Sequence, residues 1–315
     1  MNTLITGAEG FVGGHLVAAL LDRGDRVTAT RLQAAPEEAP AGRPAPEWRV
    51  VDVLDVTTVR RAVEAAEPEV VFHLAGFSSG ARARGRAAEA LRTNAEGTLN
   101  VLDAVADAAP GCRVVVPGSA DVYGDPGPDP VDENAPVAPR SPYGVSKAAQ
   151  ELVALTLGAA VGLDVRVARL FPMTGPGQAD VFVVPGFCRQ AAAIATRRSE
   201  PLIEVGNLEV ERDFIHVGDG VDALLALASL ASPPHRIYNV CSGEGIAIRT
   251  VLSWILAEAG IDPEIRVDRA RLRPDDPPRV VGSAGRLRSA TGWTCRREVR
   301  EGVRETYSWV AAGHQ

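Results

Sequence analysis

Lysine is almost missing from this chain: of thirty-three basic residues, Lys147 is the only one that is not arginine. Guanidinium is planar, bulky and fixed in charge, so a solitary ammonium marks a position where a compact, titratable amine is wanted. Cysteine is scarce as well. Cys112, Cys188, Cys241 and Cys295 lie far apart with no Cys-x-x-Cys pair, a usage that argues against a disulfide scaffold and suggests reduced thiols in a cytoplasmic protein. The five histidines are scattered without paired-ligand spacing, so no metal site is expected. Long apolar runs are missing too. Charge-free stretches such as Leu152 to Leu163 reach about a dozen residues, against the roughly 20 that span a bilayer. The opening Met1-Asn2-Thr3-Leu4-Ile5-Thr6-Gly7 shows no basic or apolar leader pattern. Positive charge is in deficit, with 40 acidic residues and a net charge of −7, which disfavours nucleic acid and membranes as partners.

What is present is ordinary globular composition, 46% hydrophobic and 23% charged over 315 residues, enough for one or two packed domains. Short apolar runs alternate with longer amphipathic ones. Thr3–Thr6, Arg26–Thr30, Arg49–Val51, Val70–Leu74, Arg113–Val116 and Val165–Leu170 read as buried strands. Val12–Leu21, Thr57–Ala66, Ala88–Ala108 and Ser146–Gly158 read as helices between them. That alternation predicts an α/β fold, a doubly wound parallel sheet with helices on both faces. Gln33–Glu47, rich in Ala, Pro and Glu, reads as an irregular surface excursion. Beyond Leu170 the rhythm changes, although Phe214–Leu230 and Ile237–Gly260 still look like βα units. The expected organisation is a first unit over residues 1–170, to which 214–240 returns. A smaller C-terminal α/β lobe is expected from 171–213 and 241–315.

Gly7-Ala8-Glu9-Gly10-Phe11-Val12-Gly13 follows the first strand and opens the first helix. Glycines at this spacing allow a tight turn, close backbone approach to a pyrophosphate, and tight helix–strand packing. The helix N-terminus adds N–H donors and a positive dipole end, so a Rossmann dinucleotide site is expected over Gly7, Gly10, Phe11, Val12 and Gly13. The second strand ends in Thr30-Arg31, where an NAD-preferring site places a carboxylate for the ribose diol. A guanidinium suits a 2′-phosphate instead, so NADP(H) is favoured, with NAD(H) still possible; a solvent-facing arginine is the alternative. Asp52-Val53 follows the third strand, with Asp52 either accepting from adenine or capping a helix. Leu74-Ala75-Gly76 ends the fourth strand with small residues that let backbone lie against a cofactor, while His73 reads as a packed core histidine.

Ser119 ends the fifth strand, and Tyr143 and Lys147 stand four residues apart near a helix start. Residues at that spacing share a helix face, so phenol and ammonium can enter one cleft. There the ammonium is expected to lower the phenol's pKa and to bridge ribose hydroxyls, while Ser119 holds the reacting oxygen. The only lysine of the chain falls at this position.

These stretches, together with Asn94-Ala95-Glu96-Gly97-Thr98, Gly175-Pro176-Gly177-Gln178, Arg212-Asp213-Phe214-Ile215-His216-Val217, Asn239-Val240-Cys241-Ser242-Gly243 and Thr291-Gly292-Trp293, resemble an extended short-chain dehydrogenase/reductase of the nucleotide-sugar epimerase and dehydratase group. The likeness runs over nearly the full length. It is greatest to GDP-4-keto-6-deoxymannose reductases and their relatives, the GDP-mannose 4,6-dehydratases. The resemblance implies that Asn94 lies by the cofactor and that the second lobe binds a nucleotide-diphosphate sugar. By the same resemblance Arg212 pairs with the diphosphate, Val184 and Asn207 line the base, and Arg279 with Asp275 or Asp276 holds phosphate and ribose. It also implies a homodimer formed through helices at Leu99–Ala108 and Ser146–Gly158.

Two departures shape the expected chemistry. Dehydratases of the group carry a catalytic Glu two positions after the Ser or Thr, whereas Ser119 is followed by Ala120 and Asp121. Elimination needs a base at C5 and an acid for the C6 hydroxyl. Ala120 supplies neither, and Asp121 is one methylene shorter than Glu. Pro172 also stands where relatives carry asparagine, removing an amide and an N–H donor. The expectation is therefore an NADPH-dependent reductase of a 4-keto(-6-deoxy) nucleotide sugar, with an epimerase or dehydratase holding its cofactor tightly as the alternative. Ser119, Tyr143 and Lys147 form the catalytic set, and Asp121 orients the sugar.

Overall fold

Short runs of Val, Ile and Leu, most of them buried on both faces, line up as seven parallel strands through the centre of the molecule. In this computed structural model, which describes residues 1–33, 45–272 and 276–314, the first six are β1 (Asn2–Thr6), β2 (Arg26–Arg31), β3 (Glu47–Val50), β4 (Val70–His73), β5 (Arg113–Ser119) and β6 (Asp164–Leu170). The seventh, Ile237–Val240, pairs with β6, and the order from that edge is β6, β5, β4, β1, β2, β3. The chain runs outward from β1 to β3 and then returns to β4. The strand order therefore reverses between β1 and β4, and their C-terminal ends open the crevice where α/β sheets bind ligands.

Neighbouring residues of a strand face opposite ways, and the two apolar layers show it. Ile5, Phe72 and Val115 pack with α1 (Phe11–Asp22) and the helix Val217–Ser229. Their neighbours Leu4, Val71 and Val114 pack with α2 (Val56–Ala66) and the later helices on the other face. Those later helices are α5 (Gly97–Ala108) and α6 (Pro142–Ala160), while α3 (Gly80–Ala83) and α4 (Ala87–Leu91) pack Ala83 and Ala90 against Tyr143 in a small separate cluster. A separate core of Phe187, Ile203, Val251, Ile255 and Val303 holds the helices Val183–Ala195, Ile248–Ala259 and Val299–Ala311. Two small sheets accompany them, one joining Gly245–Ala247, Glu211–Asp213 and Arg279–Val280, the other Leu202–Val205 and Glu264–Val267.

Two helices differ from the sequence expectation. The run Ala88–Ala108 is broken by a π-helical turn over Arg92–Glu96, a widened turn that brings Asn94 inward. α6 starts four residues before the expected Ser146 because Ser141 caps it, accepting from Gly144 N–H at 2.9 Å, with Pro142 in the first turn. Most of the Ala-Pro excursion, 34–44, lies outside the described residues, as does Asp275. Among the described residues no helix is long and apolar enough to cross a membrane, and no cluster of metal ligands forms.

Candidate active site

The crevice floor is backbone. Gly7 has φ +68°, and a Cβ there would meet Ala75 N at 2.6 Å; one on Gly13 would meet Gly7 O at 2.5 Å. Only glycine lets β1, α1 and the end of β4 approach this closely. α1 begins at Phe11 after Gly10, which offers no side-chain cap, so the first-turn N–H groups have no capping side chain at an end where Gly10 is exposed, as is Gly76 after β4. A cradle of backbone at an uncapped helix end fits a dinucleotide pyrophosphate. Phe11 meets His15 edge-on, and His15 Nε2 lies 2.9 Å from Pro176 O, joining α1 to the chain after β6. Val12 packs on the first core.

At the far end of this cradle, Thr30 is buried and accepts from Gly7 N–H at 3.3 Å, so it braces the turn. Arg31 stacks on Trp48 with its guanidinium carbon 5.4 Å from the ring centroid, and its Nε lies 3.5 Å from Glu9 Oε2. Asp52 is exposed and accepts from Leu54 N–H at 2.9 Å, while the cap of α2 is Asp55. Val53 is buried against Gly97. Leu74 and Ala75 are half-buried where β4 meets the glycine turn. Asn94 is fully buried: its Oδ1 accepts from Phe77 N–H at 2.8 Å and its Nδ2 donates to Ser146 Oγ at 2.8 Å. Its amide thus clamps the loop after Gly76 onto α6.

Ser119, Tyr143 and Lys147 converge where β5 ends beneath the start of α6. Ser119 Oγ accepts from Asp121 N–H at 3.1 Å and is hydrogen-bonded to the Tyr143 side chain. Gly144 makes this contact possible, since a Cβ there would lie 2.7 Å from Asp121 O. Lys147 is buried, its Nζ donating to Pro117 O at 2.6 Å and Gln150 Oε1 at 2.5 Å. Burial lowers its pKa to about 7, against the opposing pull of Glu151. The Tyr143 phenol is pushed up instead of down, by burial first and the Asp121 charge second, with the Ser119 bond opposing both. This corrects the expected tyrosinate: desolvation dominates, and the ammonium's donors go to Pro117 and Gln150.

A chain of side chains runs behind Lys147, with Thr98 of the Asn94–Thr98 stretch at its centre. Thr98 Oγ donates to Asn94 O at 2.6 Å and accepts from Gln150 Nε2 at 3.0 Å. With its one proton so used, its 3.0 Å contact to His73 Nε2 requires a donor on the histidine. His73 Nδ1 then accepts from Thr6 Oγ at 2.8 Å. Burial lowers the His73 pKa to about 3, with Lys147 adding to the shift, so the ring stays neutral. Gln150 stands three residues after Lys147, and helical spacing was the available signal for it. Glu9 was visible in the glycine turn, but nothing local announced its reach to Arg31.

Beyond β6, Arg212 and Arg279 sit on adjacent strands. Arg212 donates to Asp276 Oδ1 at 2.6 Å and to Pro277 O at 2.9 Å. Arg279 pairs with Glu211. Val184 is 1% exposed and belongs to the apolar core of Phe187, Ile203 and Val251, not to an open base-lining surface. Asn207 is exposed, its Oδ1 accepting from Glu209 N–H at 3.0 Å in a turn. Asp213, buried, clamps the end of the seventh strand by accepting from Ser242, Gly243 and Gly282 N–H groups.

Comparison with known proteins gives this site a context. The family described as GDP-mannose 4,6 dehydratase matches residues 4–306. GDP-6-deoxy-D-mannose reductase of Pseudomonas aeruginosa is 35% identical over 306 residues, covering 96% of this chain and 95% of that protein. The solved structure of RMD from Pseudomonas aeruginosa complexed with NADPH superposes with a TM-score of 0.83 at 32% identity, covering 99% of each chain. That of UDP-glucose 4-epimerase from Thermus thermophilus, complexed with NAD, gives 0.84 at 31% identity, again over 99% of each.

Proposed function

Because the chain belongs to the GDP-mannose 4,6 dehydratase family, within the extended short-chain dehydrogenases/reductases, we propose that it is an NADPH-dependent reductase of a 4-keto-6-deoxy nucleotide sugar. The observation that carries this reading is the Tyr143 phenol, held protonated by burial and Asp121 and hydrogen-bonded to Ser119. Ketone reduction consumes a proton at the carbonyl oxygen, and a neutral phenol is the form that can give it. When bound, the reduced nicotinamide supplies hydride to C4. Ser119 holds the C4 oxygen, Tyr143 donates its proton to that oxygen, and Lys147, with one N–H left over from Pro117 and Gln150, holds the ribose. Asp121 orients the sugar hydroxyls. Arg212 and Arg279, on adjacent strands, receive the diphosphate. The residues at Gly7–Gly13, Leu74–Gly76 and Arg31 hold NADP(H), with NAD(H) as the second cofactor.

The four cysteines are unpaired, in keeping with a reducing, cytoplasmic setting. Leu152, 68% exposed, and Val145, 48% exposed, lie on the outer side of α6 and support a homodimer through this helix.

The test follows NADPH absorbance with GDP-4-keto-6-deoxymannose and with a UDP- or dTDP-linked counterpart. Stoichiometric consumption is expected with one of them, and Tyr143→Phe should lose about 10²–10⁴-fold in kcat while still binding NADPH. No consumption with any 4-keto sugar, together with nicotinamide retained through purification, would select the epimerase or dehydratase reading instead.

A further inference from the structure

Proceeding from the reading that the crevice takes a nicotinamide dinucleotide, we propose that Glu9 sets the choice between a 2′-phosphorylated and a plain adenosine ribose. It does so as the counter-ion of Arg31, which a 2′-phosphate must displace or tolerate. Glu9 lies inside the glycine turn, and Arg31 ends β2. Gly7 N–H donates to Thr30 Oγ and Ala8 N–H to Thr30 O at 3.0 Å, so the turn and the strand end are tied together. Glu9 and Arg31 are thereby neighbours by construction. Glu9 Oε1 accepts from Leu32 N–H at 3.3 Å, which aims Oε2 at Arg31 Nε, 3.5 Å away.

Arg31 is no loose surface charge. Its side chain is 20% exposed, it lies over Trp48, and its buried Nε makes no hydrogen bond. Stacking fixes the guanidinium plane at the strand end where the adenosine ribose belongs. The Glu9 contact is an ion pair longer than a hydrogen bond, which an incoming anion can replace. A phosphate dianion there gains Arg31 but lies beside the Glu9 carboxylate; a ribose diol carries no charge and can donate to that carboxylate. Glu9 therefore weakens the preference that Arg31 alone would give and leaves room for NAD(H).

Glu9 is 42% exposed, so Glu9→Gln should fold normally. Calorimetric titration of NADP⁺ and NAD⁺ at low salt compares wild type, Glu9→Gln, Arg31→Gln and the double variant. Glu9→Gln should tighten NADP⁺ by about tenfold, the size of one screened like-charge repulsion near the surface, and leave NAD⁺ unchanged or weaker. In the Arg31→Gln background the same change should tighten NADP⁺ by less, because only the direct like-charge repulsion is then relieved and no guanidinium is freed. A ratio of the two dissociation constants unaltered by Glu9→Gln, or altered equally with and without Arg31, would overturn the role of Glu9. A wild-type chain that binds neither dinucleotide would instead overturn the reading on which it rests.

Discussion

A single ammonium buried under a strand end makes the rate pH-dependent in a definite direction. Lys147 titrates near 7 while the Tyr143 phenol is raised well out of range. NADPH oxidation should therefore fall as pH rises through about 7, with no second limb from Tyr143 until strongly alkaline pH. Lys147→Arg keeps the charge and should flatten that limb, at a cost in kcat because a planar fork cannot place donors on Pro117 and Gln150 as an ammonium does. Stability has its own sign. The folded pKa lies below the ordinary 10.5, so between about 7 and 10.5 the unfolded chain binds more protons and folding grows more favourable with rising pH. Lys147→Met removes that rise. It should be the more stable protein at pH 6, and the gap should shrink by about 1.4 kcal/mol per pH unit above 7 in urea titrations. The lysine itself was legible because it is unique. Its partner Pro117 O was not, since it reaches Lys147 only through packing of α6 on β5, while Gln150, one turn along the same helix, had helical spacing alone as its signal.

At the scale of the helix, α6 carries two glycines that look alike in sequence and do different work. Gly144 faces the Ser119 turn, where a Cβ would lie 2.7 Å from Asp121 O and 3.0 Å from Pro139 Cβ. Gly158 faces the sheet, where a Cβ would collide with the Val165 side chain. Gly158→Ala is overpacking and should cost about 1–3 kcal/mol in urea melts, with kcat per folded molecule near wild type. Gly144→Ala should move the N-terminal turn of α6 off Ser119 and lower kcat about 10²-fold, because misplacement near 1 Å at the reacting groups has that effect. Strand and helix positions were readable because buried strands and amphipathic helices differ in period. The π turn at Arg92–Glu96 was not, because one extra residue leaves the apolar pattern of Ala88–Ala108 intact while turning Asn94 toward Phe77 and Ser146.

Across the whole molecule, the sheet's two latest strands are joined by a buried polar network no local pattern foretells. Arg169 on β6 and Glu151 on α6 are 2% and 7% exposed and form a paired fork. Arg169 also donates to Tyr123 Oη at 2.8 Å, and Tyr123 donates to Asn239 Oδ1 at 2.7 Å. Asn239 Nδ2 donates to Val131 O at 3.0 Å, and its N–H donates to the buried Glu133 at 2.7 Å. The same Glu151 opposes the fall of the Lys147 pKa, so the network bears on the catalytic ammonium as well as on the fold. Removing one partner leaves the other charge buried alone. Arg169→Met should cost about 3–5 kcal/mol and, by stranding Glu151 near Lys147, should raise the pKa of the alkaline limb of NADPH oxidation. Arg169→Met with Glu151→Leu should recover much of the stability, since a well-packed apolar pair can replace a buried ion pair. It should shift that limb the other way, below wild type, because the carboxylate that favours the charged lysine is gone. If stability and the alkaline limb moved independently of Glu151 across these variants, the pair would be a local strut and the coupling to Lys147 would fail.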